Sequence, residues 1–147
     1  MKWSPDKCSP GDVIRVRIGS FCHYGIYVSD EEVIQFGLPP VGGLPSGGDD
    51  IRVIATDIDV FSCGRIVEVG VPERAGGERR RRFSAEKTIA LARARLGEGG
   101  YSILHNNCEH FAWECAFGIH RSEAEEEAQA RWRKLLSDKG IESGSPK

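Results

Sequence analysis

The sequence has no apolar run near the ~20 residues that a membrane-crossing helix needs. Its start, "MKWSPDKCSPGD", lacks the apolar stretch of a secretory signal. The expectation is a soluble chain that is neither anchored by a helix nor exported. A cysteine framework is missing too. Cys8, Cys22, Cys63, Cys108 and Cys115 are odd in number and scattered, and no C-x-x-C occurs. This points to a reducing, cytoplasmic setting in which a thiol is free to react. Charge of one sign is also scarce. Twenty Lys and Arg against 22 Asp and Glu leave a net −2, which gives no global pull toward nucleic acid or anionic lipid.

What is present suits a globular protein: 147 residues, 39% hydrophobic and 29% charged, enough for one sizeable core. "DVIRVRIG" alternates, with Ile14, Val16 and Ile18 on one face and Val13, Arg15 and Arg17 on the other. It reads as a half-buried strand entered through a Pro-Gly turn. "FCHYGIYVSDEEVIQFG" reads as a hairpin of strands Cys22–Val28 and Val33–Phe36. Tyr24, Ile26 and Val28 face one way, His23, Gly25 and Tyr27 the other. "LPPVGGLPSGGDD" is an irregular loop, the expected rim of a site. "IRVIA" and "RIVEVGV" read as further strands around a short capped helical turn, "TDIDVFSCG".

From Ser84 the period becomes helical, with Ile89, Ala92 and Leu96 on one face and Gly97 as the stop. After the extended "YSIL", Asn107 caps a helix carrying Phe111, Ala112, Cys115 and Ile119 on one face. Ser122 and Glu125 start a last helix, whose Ala128, Trp132, Leu135 and Leu136 stripe is expected to pack on the core. Strands ahead of helices predict an α+β fold: a domain over 1–121, then a helix and polar tail over 122–147 packed on it.

"ILHNNCEHFAWEC" concentrates His105, Cys108, His110 and Cys115. The spacing is not that of a metal site, because Cys108 and His110 fall about 200° apart on a helix. A nucleophile fits better. At the first helical position, Cys108 sits where unpaired N–H groups and the helix dipole lower a thiol pKa. The base could be His105, just before the cap, or His23, with Gly25 leaving room beside it. His110 points away, and His120 lies about 18 Å along the helix. A structural histidine and an inert buried cysteine remain open at this point.

"HYGIYV…VIQF" followed by "ARARLGEGGYSILHNNCEHFA" resembles the lecithin:retinol acyltransferase-like family, which includes the H-Ras-like suppressor phospholipase/acyltransferases. The resemblance runs from "SPGDVI" to "FGIH". It implies a circularly permuted papain-type fold, with Cys108 as nucleophile and His23 as general base. Asn107, Tyr24 and His105 fall around that pair. No metal or cofactor is implied. Relatives commonly carry a second histidine where this chain has Gln35. A glutamine can still accept from the His23 ring and hold one tautomer. That role requires Gln35 to share a face with His23, which pairing Gly25 with Gln35 achieves. A one-residue slip would separate them.

The resemblance implies acyl chemistry on phospholipid-like esters, with an acyl-Cys108 thioester, and peripheral membrane contact as a further expectation. The alternatives are a permuted papain-like peptidase or amidase and a non-catalytic interaction module. Arg79–Arg82, with Arg74 nearby, could meet lipid phosphate, but reads first as a solvated loop run. Nucleic acid is not expected as a partner, since Phe83 alone interleaves aromatically with the arginines.

Overall fold

The computed structural model describes residues 1–38, 51–71, 82–101, 107–120 and 123–138. Among the described residues six strands form one antiparallel sheet: β1 (Lys2–Ser4), β2 (Val13–Ile18), β3 (Phe21–Ser29), β4 (Glu32–Phe36), β5 (Val53–Thr56) and β6 (Val67–Val71), in the order β1-β6-β2-β3-β4-β5. Four helices accompany them among the described residues: α1 (Ile58–Ser62), α2 (Ala85–Ala94), α3 (Cys108–Phe117) and α4 (Glu123–Asp138). The architecture is α+β, with three of the helices following the last strand.

Alternation along each strand sends side chains into two separate cores. On one face Val13, Tyr24, Ile26, Ile34, Phe36 and Val53 pack with Phe111, Ala112, Cys115 and Ala116 of α3. On the other, Ile14, Val16, Ile18, Tyr27, Val33 and Val69 close over Phe61 of α1. β2 is therefore not half-buried as its pattern suggested. It is a central strand covered on both sides, and even Arg15 is only 9% exposed. There Glu68, its cross-strand partner on β6, accepts from Arg15 Nε at 3.0 Å, and the Trp3 ring lies 4.1 Å from the guanidinium carbon. That ring belongs to β1, a strand too short to announce itself by alternation.

Two glycines set the geometry around the site. Gly11 has φ +86°, and a Cβ there would meet the Ala85 backbone at 2.6 Å, so the Pro-Gly turn seats directly on the start of α2. A Cβ on Gly25 would come within 2.8 Å of the Phe61 ring, so the bare backbone lets α1 close down on β3.

The end of the arginine run is not solvated as expected. Arg82 holds Asp12 through Nη1 at 3.0 Å and donates to the Gly11 carbonyl. Arg74 and Arg79–Arg81 lie outside the described residues, as do residues 39–50 of the expected rim and the Ser122 cap.

Ser84 caps α2 as the sequence suggested, but the buried face is Thr88 and Ala92, and Leu96 is 44% exposed beyond the helix end. The tight turn at Arg95–Leu96 rotates that residue off the helical face. On α4, Trp132 is 61% and Leu135 46% exposed, so these two side chains of the stripe do not join the core. Arg131, Arg133 and Lys134, interspersed with them, are exposed as well. Among the described residues, no helix is long and apolar enough to cross a membrane.

Candidate active site

The hairpin places its histidine and glutamine as the face argument requires. β3 and β4 pair Gly25 with Gln35 and Ile26 with Ile34. Both functional side chains project from the same face. His23 Nε2 and Gln35 Oε1 are 2.6 Å apart, with the histidine 2% exposed and the glutamine fully buried. An amide oxygen only accepts, so the imidazole donates from Nε2 and presents Nδ1 as its basic nitrogen. Gln35 is fixed in that orientation from behind. Its Nε2 donates to Thr56 Oγ1 at 2.7 Å, and the Thr56 hydroxyl donates to the Asp57 carbonyl at 3.1 Å. The chain Asp57–Thr56–Gln35–His23 thus sets one tautomer. Sequence reading missed Thr56, because its place opposite Gln35's neighbourhood depends on the β4–β5 register.

Phe61 covers the imidazole, with ring centroids 5.3 Å apart. This burial pushes the His23 pKa down to about 4, against the opposing pull of the Gln35 hydrogen bond. Phe61 was also not foreseen as a site residue. Its burial depends on Gly25, which lies far from it in sequence.

Cys108 opens α3. Asn107 caps the helix, its side-chain oxygen accepting from Glu109 N at 3.0 Å and His110 N at 3.1 Å. His110 returns the bond, its Nδ1 accepting from Asn107 N at 3.2 Å. A histidine thus takes the place that Glu or Gln fills in a capping box. It is fully buried rather than on the helix surface. The His120 ring stacks on it at 4.1 Å and pairs with Glu114. His105 lies outside the described residues.

The thiol does not have the lowered pKa expected of a helix N-terminus. Burial pushes it up to about 11 and Glu109 adds to the rise, while the backbone N–H groups of Tyr24, Cys108 and Glu109 oppose it. Desolvation outweighs the dipole because the residue is 8% exposed.

The Tyr24 contact locates the sulfur. Tyr27 donates its N–H to Asp12 on the β2 side, so by alternation the Tyr24 N–H points toward the β4 side. The β3–β4 pairs end at Gly25 and Gln35, one residue short of it. The thiol therefore occupies the position where β4 parts from β3, against the peptide unit joining His23 to Tyr24. A group bonded to a strand N–H lies near the sheet plane. The sulfur thus stands at the boundary between the α3 face and the face from which His23 projects.

The Tyr24 ring packs edge-on against Trp3, with centroids 5.7 Å apart, and its hydroxyl bonds Arg15. Burial raises its pKa, and burial together with Cys108 raises that of Tyr101. Tyr101 also packs edge-on against Phe36 at 5.1 Å, forming part of the wall around the thiol. All five cysteines are free.

Relatives of the chain are named as acyltransferases and phospholipases. The chain is 25% identical over 126 residues to lecithin retinol acyltransferase of Mus musculus, covering 74% of this chain and 54% of that protein. It is 28% identical over 126 residues to phospholipase A and acyltransferase 1 of Rattus norvegicus, covering 78% and 71%. With phospholipase A and acyltransferase 3 of Homo sapiens the identity is 27% over 120 residues, covering 78% and 74%. The chain spans about half the length of the lecithin retinol acyltransferases that it matches. Residues 6–121 match the lecithin retinol acyltransferase family, and the chain belongs to it.

Proposed function

We propose that the protein is a thiol acyltransferase or phospholipase-type enzyme acting on phospholipid-like esters, with Cys108 as nucleophile, His23 as general base and Gln35 as its orienter. The fold is read as the permuted papain type, its catalytic unit spanning 1–121. The observation that carries this reading is the hydrogen-bonded chain from Asp57 to His23, buried at its His23–Gln35 end, which holds a neutral imidazole with Nδ1 as base.

With the thiol's pKa up at about 11 and the imidazole's down at about 4, the resting pair is neutral at pH 7. Proton transfer then accompanies attack instead of preceding it. The Cys108 sulfur bonds to the ester carbonyl carbon as its proton passes to His23. Collapse breaks the carbon–oxygen bond, and the leaving alcohol takes that proton. Water or another acceptor then attacks the thioester, giving its proton to His23, which returns it to the departing thiolate. The N–H groups around the sulfur stabilise it while it carries charge. Tyr24 and Asn107 act by position, the first through its backbone N–H and the second by holding the helix start.

The test is acyl-enzyme trapping. Protein incubated with a phosphatidylcholine bearing labelled acyl chains is quenched in acid, digested and mapped by mass spectrometry. An acyl mass on the Cys108 peptide, absent in Cys108→Ser and strongly reduced in His23→Ala, is the expected result. Acylation that survives Cys108→Ser would end the proposal.

A further inference from the structure

The β2–β3 hairpin ends in the two residues Gly19 and Ser20, and Ile18 pairs with Phe21 across it. Ile18 is buried, yet Phe21 is 55% exposed. On the other side of β2, Val16 pairs with Val67, so Ile66 extends toward the same end of the sheet, and it is 74% exposed. Two strand spacings, about 10 Å, separate their backbones, and alternation turns Phe21 to the face of His23 and Ile66 to the opposite face at the same sheet end. With Trp132 on α4 they are the most exposed large hydrophobics among the described residues. Neither contributes to a core, and both are at one edge of the molecule.

The charge at this edge is positive. Arg15 and Arg17 share Glu68 as a hydrogen-bond acceptor, each at 3.0 Å, which leaves the trio one net positive charge. The Arg17 side chain is 67% exposed, and Arg65, next to Ile66, is exposed as well. An aromatic and an aliphatic side chain at a sheet end that also carries exposed arginines match the boundary between acyl chains and anionic head groups. A protein partner fits less well, because a stable interface needs roughly 800 Å² per side. Two side chains at a hairpin end and a strand start offer much less, whereas shallow bilayer insertion requires only a few residues.

We infer that this end of the sheet, led by Phe21 and Ile66 and flanked by Arg17 and Arg65, docks on the surface of a bilayer containing anionic phospholipid. The inference rests on the proposed lipid-ester chemistry for its purpose and gives that site its approach. Phe21 is three residues from Tyr24, whose N–H holds the thiol, a distance of about 10 Å along the strand. A lipid drawn partly out of a bilayer touched by Phe21 has that length to travel to Cys108.

The experiment is vesicle co-sedimentation of the full chain with phosphatidylcholine vesicles, with and without phosphatidylserine. It is run beside hydrolysis of a water-soluble short-chain ester. Wild type binds the phosphatidylserine vesicles, and added salt weakens that binding. Phe21→Ser with Ile66→Ser lowers partitioning roughly tenfold or more, while soluble-ester hydrolysis stays as in wild type. Arg65→Glu, a milder surface change, lowers binding to phosphatidylserine vesicles only. Wild-type protein that ignores both vesicle types, or a double variant that binds like wild type, overturns the docking surface. Vesicle binding that depends on Phe21 and Ile66 in a protein without esterase activity upholds it and removes the acyl-transfer reading instead.

Discussion

Gln35 is the residue on which the family resemblance and the structure bear most directly. Its amide couples His23 to Thr56, so Gln35→Leu deprives the buried imidazole and the half-buried Thr56 hydroxyl of their partner. The expected loss is roughly a hundredfold in kcat/KM, with KM little changed and with thermal unfolding followed in parallel. Gln35→His should retain most of the activity, because a neutral imidazole also offers an acceptor nitrogen. The pH profile separates this site from an ordinary Cys–His pair. With His23 buried, the acid limb of kcat/KM should centre near pH 4 and not near the unperturbed 6.5. Alkylation of Cys108 by iodoacetamide without substrate should be slow at pH 7 and climb toward about 11. Both limbs are read from rate against pH in wild type and His23→Ala. These residues could be picked out from their motifs, but their protonation could not. Helix position alone argued for a reactive thiolate. The opposing desolvation comes from side chains distant in sequence.

At the scale of the element, α3 is held at its first turn by the reciprocal bonds of Asn107 and His110. Asn107→Ala should cost about 1 kcal/mol in urea unfolding. His110→Gln should keep more stability than His110→Ala, since glutamine at this position completes the same box. Asn107 was legible as a cap because capping is local. The part played by His110 was not, since its residue type is not the usual partner. The core register of the β3–β4 hairpin was legible: Gly25 and Gln35 do pair, as placing His23 and Gln35 on one face demanded, though the strands run further and the register shifts between Tyr27 and Ser29. Its tight packing was not. Gly25→Ala drives a methyl into Phe61, and a loss of about 1–3 kcal/mol is expected. The cost in activity should exceed that of a surface mutant of equal stability, because Phe61 also covers His23.

For the whole molecule, His23 ties stability to pH. Unfolded, its imidazole takes a proton below about 6.5, and folded it resists until about 4. Between those values the unfolded chain binds more protons, so stability falls as pH falls. The shift corresponds to about 3 kcal/mol lost by pH 4. His23→Leu should flatten that part of a urea-midpoint profile between pH 4 and 7, and an unchanged slope would mean other groups cause it. The sequence by itself determined the strand alternation, the hairpin register, the cap before Cys108 and the α+β order of elements. Each of these follows from neighbours a few residues apart. Tertiary structure decided that β2 is covered on both faces, that Arg82 leaves its arginine run to hold Asp12, and that Trp132 and Leu135 stay exposed. It also decided that the thiol meets the Tyr24 N–H where β4 departs from β3, and that thiol and imidazole are both neutral. The physical reason is that burial, and the electrostatics that burial controls, are set by which surfaces meet. That information is spread over the whole chain and not written in any one stretch of it.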